Sequence, residues 1–465
     1  MLLPLLLAAV SVTTAAVAAY GTSAAWVDLW GDAGLTLIYL SRRLQWPLLT
    51  VCVLSAAALV TAVAAGKTRA WWLIGLLPVL ALFAHRFATS PMRDFRVLEN
   101  PPLVALDVAA SSETAADGLS DDDFVVGVVV PATGAPAGGP AASEAIAYPY
   151  ALLYRSPMIV QSVREQRIAV LWSPFANFAR AYLIDRDLNP REIEPVSLPA
   201  NATLLYNARY GEFINTVSGL TQHGRPPTGF RQPLPVSAMT FGRWRALYPE
   251  SRVAVPPPRT DTAAWRASVP VRPRSPLATT TRGAAETQAT ETPVVVVGGG
   301  GPVPPIVLLP SDVSNIPLNL DAGGVPLVVL RDPATLRVRA FQRRWGDTTL
   351  RFALTAESAS RTGTPASGSA GAASGGAWAI HETETGTRWS ARGVCIEPSG
   401  PWAGRQLAPV GVFEGAYFEV LRYWMPELQV HHVTAEDFVA LPPPTVPEPP
   451  APATRPARRP SGQRR

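Results

Sequence analysis

The densest group of side chains able to move a proton is His381-Glu382-Thr383-Glu384, one imidazole beside two carboxylates. Such a set could act as a general base or as a weak metal site. The same residues alternate as a half-exposed strand does, His381 and Thr383 on one face, Glu382 and Glu384 on the other. A solvated strand face is the simpler reading. His431-His432 is a second pair of possible ligands, but neighbours on a strand point opposite ways and share one ion poorly. Gly298 to Gly301 follows an apolar strand, as a phosphate-cradling loop would. A P-loop then needs Gly-Lys-Ser/Thr and a helix, and Pro302-Val303-Pro304-Pro305 forbids that start. Ser173 has no histidine or acid beside it and reads as a turn residue, not a nucleophile.

Arginine offers the other chemistry, and it recurs. Val170-Leu171, Pro174 and Arg180-Ala181-Tyr182 reappear as Val329-Leu330, Pro333 and Arg339-Ala340-Phe341, every position 159 residues later. A second pattern closes each copy: Phe241, Arg245, Pro249-Glu250 and Val253 match Phe418, Arg422, Pro426-Glu427 and Val430. Two ordered matches at nearly one separation imply a tandem duplication. Arg180 and Arg339 each sit in an apolar strand just past a proline turn. An arginine there either pairs with a carboxylate in its own copy or binds an anionic ligand. Asp185 and Glu250, or Glu357 and Glu427, are the carboxylates on offer. The ligand-binding candidates are therefore Arg180, Arg339, His381, Glu382 and Trp389. No acid, base and nucleophile set is apparent, so no catalytic residue, metal or cofactor is expected.

Several stretches resemble a bacterial family. Val126-Gly127-Val128, Ala147-Tyr148-Pro149, Ile168-Ala169-Val170, Ser173-Pro174 and Trp244-Arg245-Ala246-Leu247-Tyr248-Pro249 are similar to the domain of unknown function 3179. Gly323-Gly324-Val325-Pro326-Leu327-Val328-Val329, Thr385-Gly386-Thr387-Arg388-Trp389 and Gly400-Pro401-Trp402-Ala403-Gly404 resemble it again. The resemblance implies an often exported bacterial protein with no assigned reaction. Where that family has a Cys-Pro-Leu-Cys-Gly turn, this chain has Ser173-Pro174-Phe175-Ala176. Thiol chemistry at the turn does not carry over.

The elements that must hold these residues follow from composition. The chain has 465 residues, with 48 prolines and 35 glycines, room for about three domains with short elements and long connections. Lys67 is the one lysine, and every other basic residue is arginine. The positive charge is concentrated in the tail from Leu441 and the linker 256–292, leaving the rest about neutral. No basic face for nucleic acid is expected. Cys52 lies in an apolar run and Cys395 in the second copy, so no internal disulfide is expected.

Residues 1–88 read as a membrane anchor with spans near 2–20, 44–65 and 70–87, free of charge in their middles. Trp71-Trp72 suits an interfacial belt. With the Lys67/Arg69 loop inside, the body lies outside the cytoplasm, although Arg42 and Arg43 then also lie outside, against the positive-inside rule. An acidic connector spans 89–122, the first copy 123–255, the Pro/Thr/Arg linker 256–292, and the second copy 293–433 with a Ser/Gly/Ala insertion at 358–376. A Pro/Arg-rich tail spans 434–465. The expected fold is α+β and β-rich: transmembrane helices, then two related antiparallel-strand domains, each with a closing helix. The expected function is a membrane-anchored extracytoplasmic binding or scaffold protein of the inner membrane, its body periplasmic or extracellular. Its partners would be the lipid bilayer and an anionic ligand or envelope protein, not nucleic acid. The alternative is an enzyme with its site between the copies.

Overall fold

A computed structural model describes residues 2–89, 95–106, 119–131, 144–154, 156–256, 293–299, 303–332, 336–354, 379–390, 393–428 and 430–438. The linker 256–292 beyond Pro256, the insertion 358–376 and the tail beyond Phe438 lie outside the described residues. The chain is a strand-rich α+β protein with apolar helices at its N-terminus and several sheets.

Helix α1 (Leu2–Tyr20) and α4 (Gln45–Ala64) are both long and apolar enough to cross a bilayer. A 3₁₀ segment (Ala70–Leu76) runs into α5 (Leu77–Thr89) and forms the third apolar stretch. Small and polar groups join them: the Ser11 and Ser55 hydroxyls lie 2.7 Å apart, and Ala15, Cys52 and Val79 form the buried centre. Two helices absent from the sequence reading lie between α1 and α4, α2 (Ala25–Trp30) and α3 (Asp32–Arg43). Their buried faces rest on the strand-rich body, Val27 and Ile38 against Ala200, Leu204 and Phe213. Tyr39 packs on Phe213 with ring centres 4.6 Å apart. Arg42 pairs with Glu194, and Arg43 donates to the Gly211 carbonyl at 3.1 Å.

Next come β1 (Val97–Glu99), β2 (Leu103–Ala105), β3 (Phe124–Val130), β4 (Glu144–Pro149) and the single turn α6 (Tyr150–Leu153). A meander follows, β5 (Met158–Val163), β6 (Gln166–Ser173) and β7 (Phe178–Ile184). A small sheet follows, β8 (Ile193–Ser197), β9 (Leu204–Asn207) and β10 (Glu212–Asn215). Then come β11 (Phe230–Leu234), β12 (Val236–Thr240), helix α7 (Phe241–Leu247) and β13 (Arg252–Ala254). The connector 89–122 is thus not wholly irregular. β1 pairs with β5 and β2 with β13, as three-residue edge strands too short to show a period.

Past the linker come β14 (Pro293–Val297), β15 (Ile306–Leu308) and a meander of β16 (Leu318–Ala322), β17 (Val325–Asp332) and β18 (Arg337–Gln342). A short hairpin, β19 (Arg344–Trp345) and β20 (Thr348–Thr349), turns at Gly346-Asp347. A small sheet of β21 (Phe352–Leu354), β22 (Ala379–Glu382) and β23 (Arg388–Ser390) follows, then β24 (Pro409–Val410), β25 (Val412–Tyr417) and helix α8 (Phe418–Trp424).

The central sheet holds eight strands in the order β15-β14-β25-β12-β3-β4-β13-β2. On one face, Val126, Val128, Val294, Val296 and Phe413 meet the first meander through Ile168, Val170, Trp172 and Phe178. On the other, Val295, Val297 and Val412 meet the second meander through Leu327, Val329 and Val338. Helix α7 covers the remainder of that second face, with Trp244 seated over Gly127, where a Cβ would come within 1.8 Å of the indole. Each meander is covered on its outer side by a small sheet, so its strands are buried on both faces and read as nearly unbroken apolar runs. The sheet is continuous because β12 pairs parallel with β25 at Ala238 and Phe413. A Cβ at Gly411 would lie 2.2 Å from the Val236 carbonyl oxygen. Gly411→Val is therefore expected to pry β25 from β12 and lower the unfolding free energy by about 1–3 kcal/mol. The check is a denaturant titration, and an unshifted midpoint would contradict this close approach.

Candidate functional site

The β12–β25 junction sets Glu414 beside Phe413 but facing the opposite side of the sheet, toward α7 and β18. Its carboxylate accepts the Val338 N–H at 3.0 Å. Three guanidinium groups surround it: Arg243 of α7 at 3.5 Å, Arg331 of β17 at 3.8 Å and Arg337 of β18 at 3.9 Å. Arg331 also donates to the carbonyls of Val313, Leu336 and Pro310 at 2.8–3.0 Å, one bond from each of its three nitrogens. Beside them Arg339 pairs with Asp332 at 2.7 Å, both side chains at most 10% exposed. Burial lowers the affinity of Arg243 for its proton, and the nearby charge of Arg339 lowers it further. Arg337 adds to this while Glu414 and Asp332 oppose it, leaving Arg243 at about 10. Burial likewise raises the Tyr248 phenol, against the pull of Arg339 and Arg243. The site thus carries more positive than negative charge among the described residues, in a partly desolvated seam where charges act strongly.

Arg180 and Arg339 occupy the same ladder position, opposite Leu171 and Leu330 respectively. Their chemistry differs. Arg180 donates to the Val217 carbonyl at 2.6 Å and to the Gly299 carbonyl, lies 3.2 Å from the Met425 sulfur and covers the Phe178 ring. Asp185 pairs with Arg231, Arg339 takes Asp332, and Glu357 lies outside the described residues. The residue 159 positions before Asp332 is Ser173, whose hydroxyl donates to the Asn201 carbonyl at 3.2 Å.

His381, Glu382 and Trp389 sit apart from this seam, on the outer small sheet. Glu382 is 1% exposed, and its carboxylate accepts the N–H groups of Glu384 and Thr385 and the Thr385 hydroxyl at 2.6–2.8 Å. It organises a turn. Trp389 lies opposite Ile380 in a core with Phe352, Val328 and Leu330. His381 occupies the alternate position on its strand, so the three do not form one binding face. His431 meets Asp437 at 3.3 Å, and Cys52 and Cys395 are buried and free. Among the described residues no three His, Cys, Asp or Glu side chains are placed to hold a metal ion.

Sequence reasoning found Arg339 but missed Arg243, Arg331, Arg337, Asp332 and Glu414. Arg331, Asp332 and Arg337 lie inside the recurring motif, yet Trp172, Ser173 and Phe178 hold the positions 159 residues earlier, so comparison of the two stretches hides them. The appearance of charge where the matching residues are neutral, Arg331 for Trp172, Asp332 for Ser173 and Arg337 for Phe178, was the available signal.

Removing a carboxylate from a buried pair leaves an uncompensated cation, so Asp332→Ala is expected to cost about 3 kcal/mol of stability in chemical denaturation. Burial lowers the proton affinity of His381, with Glu382 partly offsetting it. Folding therefore releases a proton bound by the unfolded chain. The stabilisation is complete above the ordinary histidine value of about 6.5 and is lost as pH falls through the lowered folded value. Melting temperatures measured between about pH 7 and pH 5 should fall less steeply in His381→Gln.

No curated protein and no solved structure matches the chain. A family described as a protein of unknown function, DUF3179, matches residues 101–425, from just before β2 to just past α8. That span includes both meanders, the whole central sheet and the arginine seam. The chain belongs to the DUF3179 family.

Proposed function

We propose that this protein is a membrane-anchored binding protein, its body extracytoplasmic and its recognition site the arginine seam. The observation that carries the topology is the docking of α2–α3 on the body. Residues 25–43 follow the first span and the body follows the third stretch, so contact between them requires an even number of crossings in between, both the second span and the third stretch. The 3₁₀ segment and α5 together reach about 33 Å, enough for the third. Lys67 and Arg69 then take the opposite side, the cytoplasm by the positive-inside rule. Arg42 and Arg43, which count against that orientation, are engaged by Glu194 and the Gly211 carbonyl. Trp30 and Trp46 are exposed at the body end of the spans and Trp71 at the other, as interfacial belts would be.

The body itself reads as a duplicated unit. Gln166–Ser173 and Val325–Asp332 are strands of equal length 159 residues apart, and their partners keep the same register. The turns match as well, with positive φ at Arg164 and Gly323 and at Asn177 and Leu336. Helices α7 and α8 begin at the matched Phe241 and Phe418 and end at Leu247 and Trp424. Val253 and Val430 each pair parallel with the second strand of their own copy. The seam lies where the copies meet.

A seam of guanidinium groups suits holding an anion more than moving a proton. Even at about 10, Arg243 stays charged near neutral pH. In a cysteine-free background, Arg231→Cys should react with a membrane-impermeant maleimide in intact spheroplasts. Lys67→Cys should react only after permeabilisation. The reverse pattern would refute the orientation. Binding is tested on the detergent-solubilised full chain, by thermal unfolding against anionic, neutral and cationic small molecules. A melt that no class raises would refute the binding reading.

A further inference from the structure

The arginine seam has a charge imbalance with a geometry of its own. With Arg339 assigned to Asp332, three guanidinium groups remain around the single carboxylate of Glu414. None of the three approaches it more closely than 3.5 Å, and one Glu414 oxygen is already engaged by the Val338 N–H. Two positive charges are therefore unbalanced among the described residues. Arg243 is the deepest, 9% exposed, and its Nε has no hydrogen-bond partner. A buried, unmatched guanidinium N–H is costly. Arg337 lies at the other extreme, its side chain about one third exposed, which gives solvent a way in. The guanidinium fork suits the oxygens of a compact oxyanion, and a dianion would cancel the excess.

We propose that this seam binds one dianionic tetrahedral oxyanion, a phosphate, a sulfate or the phosphoryl end of a larger molecule. Arg243 holds it from below and Arg337 from the open side. Arg331, with three of its five donors held by carbonyls, contributes mainly charge. Glu414 is the internal competitor that offsets the arginines' mutual repulsion when the anion is gone. This rests on the reading of the protein as a binding protein, and it names the ligand class.

The test is calorimetric titration of the detergent-solubilised full chain at low ionic strength with inorganic phosphate, sulfate, glycerol phosphate and acetate. One saturable site per chain for phosphate or sulfate is expected. Arg337→Gln should weaken it about tenfold, and the surface control Arg231→Gln should leave it unchanged. Glu414→Gln keeps an acceptor for Val338 and removes the competing charge, so it should tighten binding several-fold by the same arithmetic. Tighter binding of glycerol phosphate than of phosphate would identify a phosphorylated molecule as the source. Equal or weaker binding would identify the free ion. No saturable binding of any of the three dianions, binding of acetate alone, or affinities untouched by Arg337→Gln and Glu414→Gln would overturn the proposal. Should Arg337→Gln fail to fold, the Glu414→Gln titration decides it, and absence of tightening overturns it. If these anions fail while another class raises the melt, the binding reading survives and this inference does not.

Discussion

The parallel pairing of β12 with β25 is the constraint on which the rest of the body depends. Ala238 faces Phe413 across it, the Val412 N–H donates to the Ser237 hydroxyl at 3.2 Å, and Gly411 leaves room for the two backbones to approach. Through that junction two sets of strands become one sheet of eight. Because consecutive strand residues face opposite ways, placing Phe413 in the core beneath the first meander obliges Glu414 to look across at the second. The same step that completes the apolar core therefore brings a carboxylate among arginines from β17, β18 and α7.

The two meanders show how one backbone supports different chemistry. Arg180 and Arg339 share a ladder position, but the residue diagonal to each decides its partner: Ser173 in one, Asp332 in the other. With a serine there, the Arg180 guanidinium reaches instead for backbone carbonyls at Val217 and Gly299. Those acceptors come from either side of the linker, so Arg180 ties the two sets of strands together. Arg339 lies among charges and helps set their balance.

Layering accounts for what could be read without coordinates. Each meander is enclosed between the central sheet and a smaller sheet, so its strands are apolar on both faces and visible as runs such as Ile168 to Trp172. Closing helices α7 and α8 were legible from the spacing of Phe241, Trp244 and Leu247 and from the matched second motif. Helices α2 and α3 were not, because they are short and present apolar residues both to the body and outward, as Val27 and Trp30 do. The pair of three-residue strands β1 and β2 likewise carries too little pattern to betray an element.

The sequence by itself determined the apolar helices, the strand-rich α+β class, the repeated motif and the family. Each of these is written in residue type and spacing over short distances, where periodicity and turn chemistry act. It named Arg339 as a candidate, and it grouped His381, Glu382 and Trp389 by proximity along the chain. Only the tertiary structure separated the last three, spending Glu382 on a turn and Trp389 on a core. It alone joined Arg243 to Glu414, which lie on opposite sides of the linker. Ion pairing depends on distance in space, and in a chain whose cations are nearly all arginine no local pattern marks which will meet an acid.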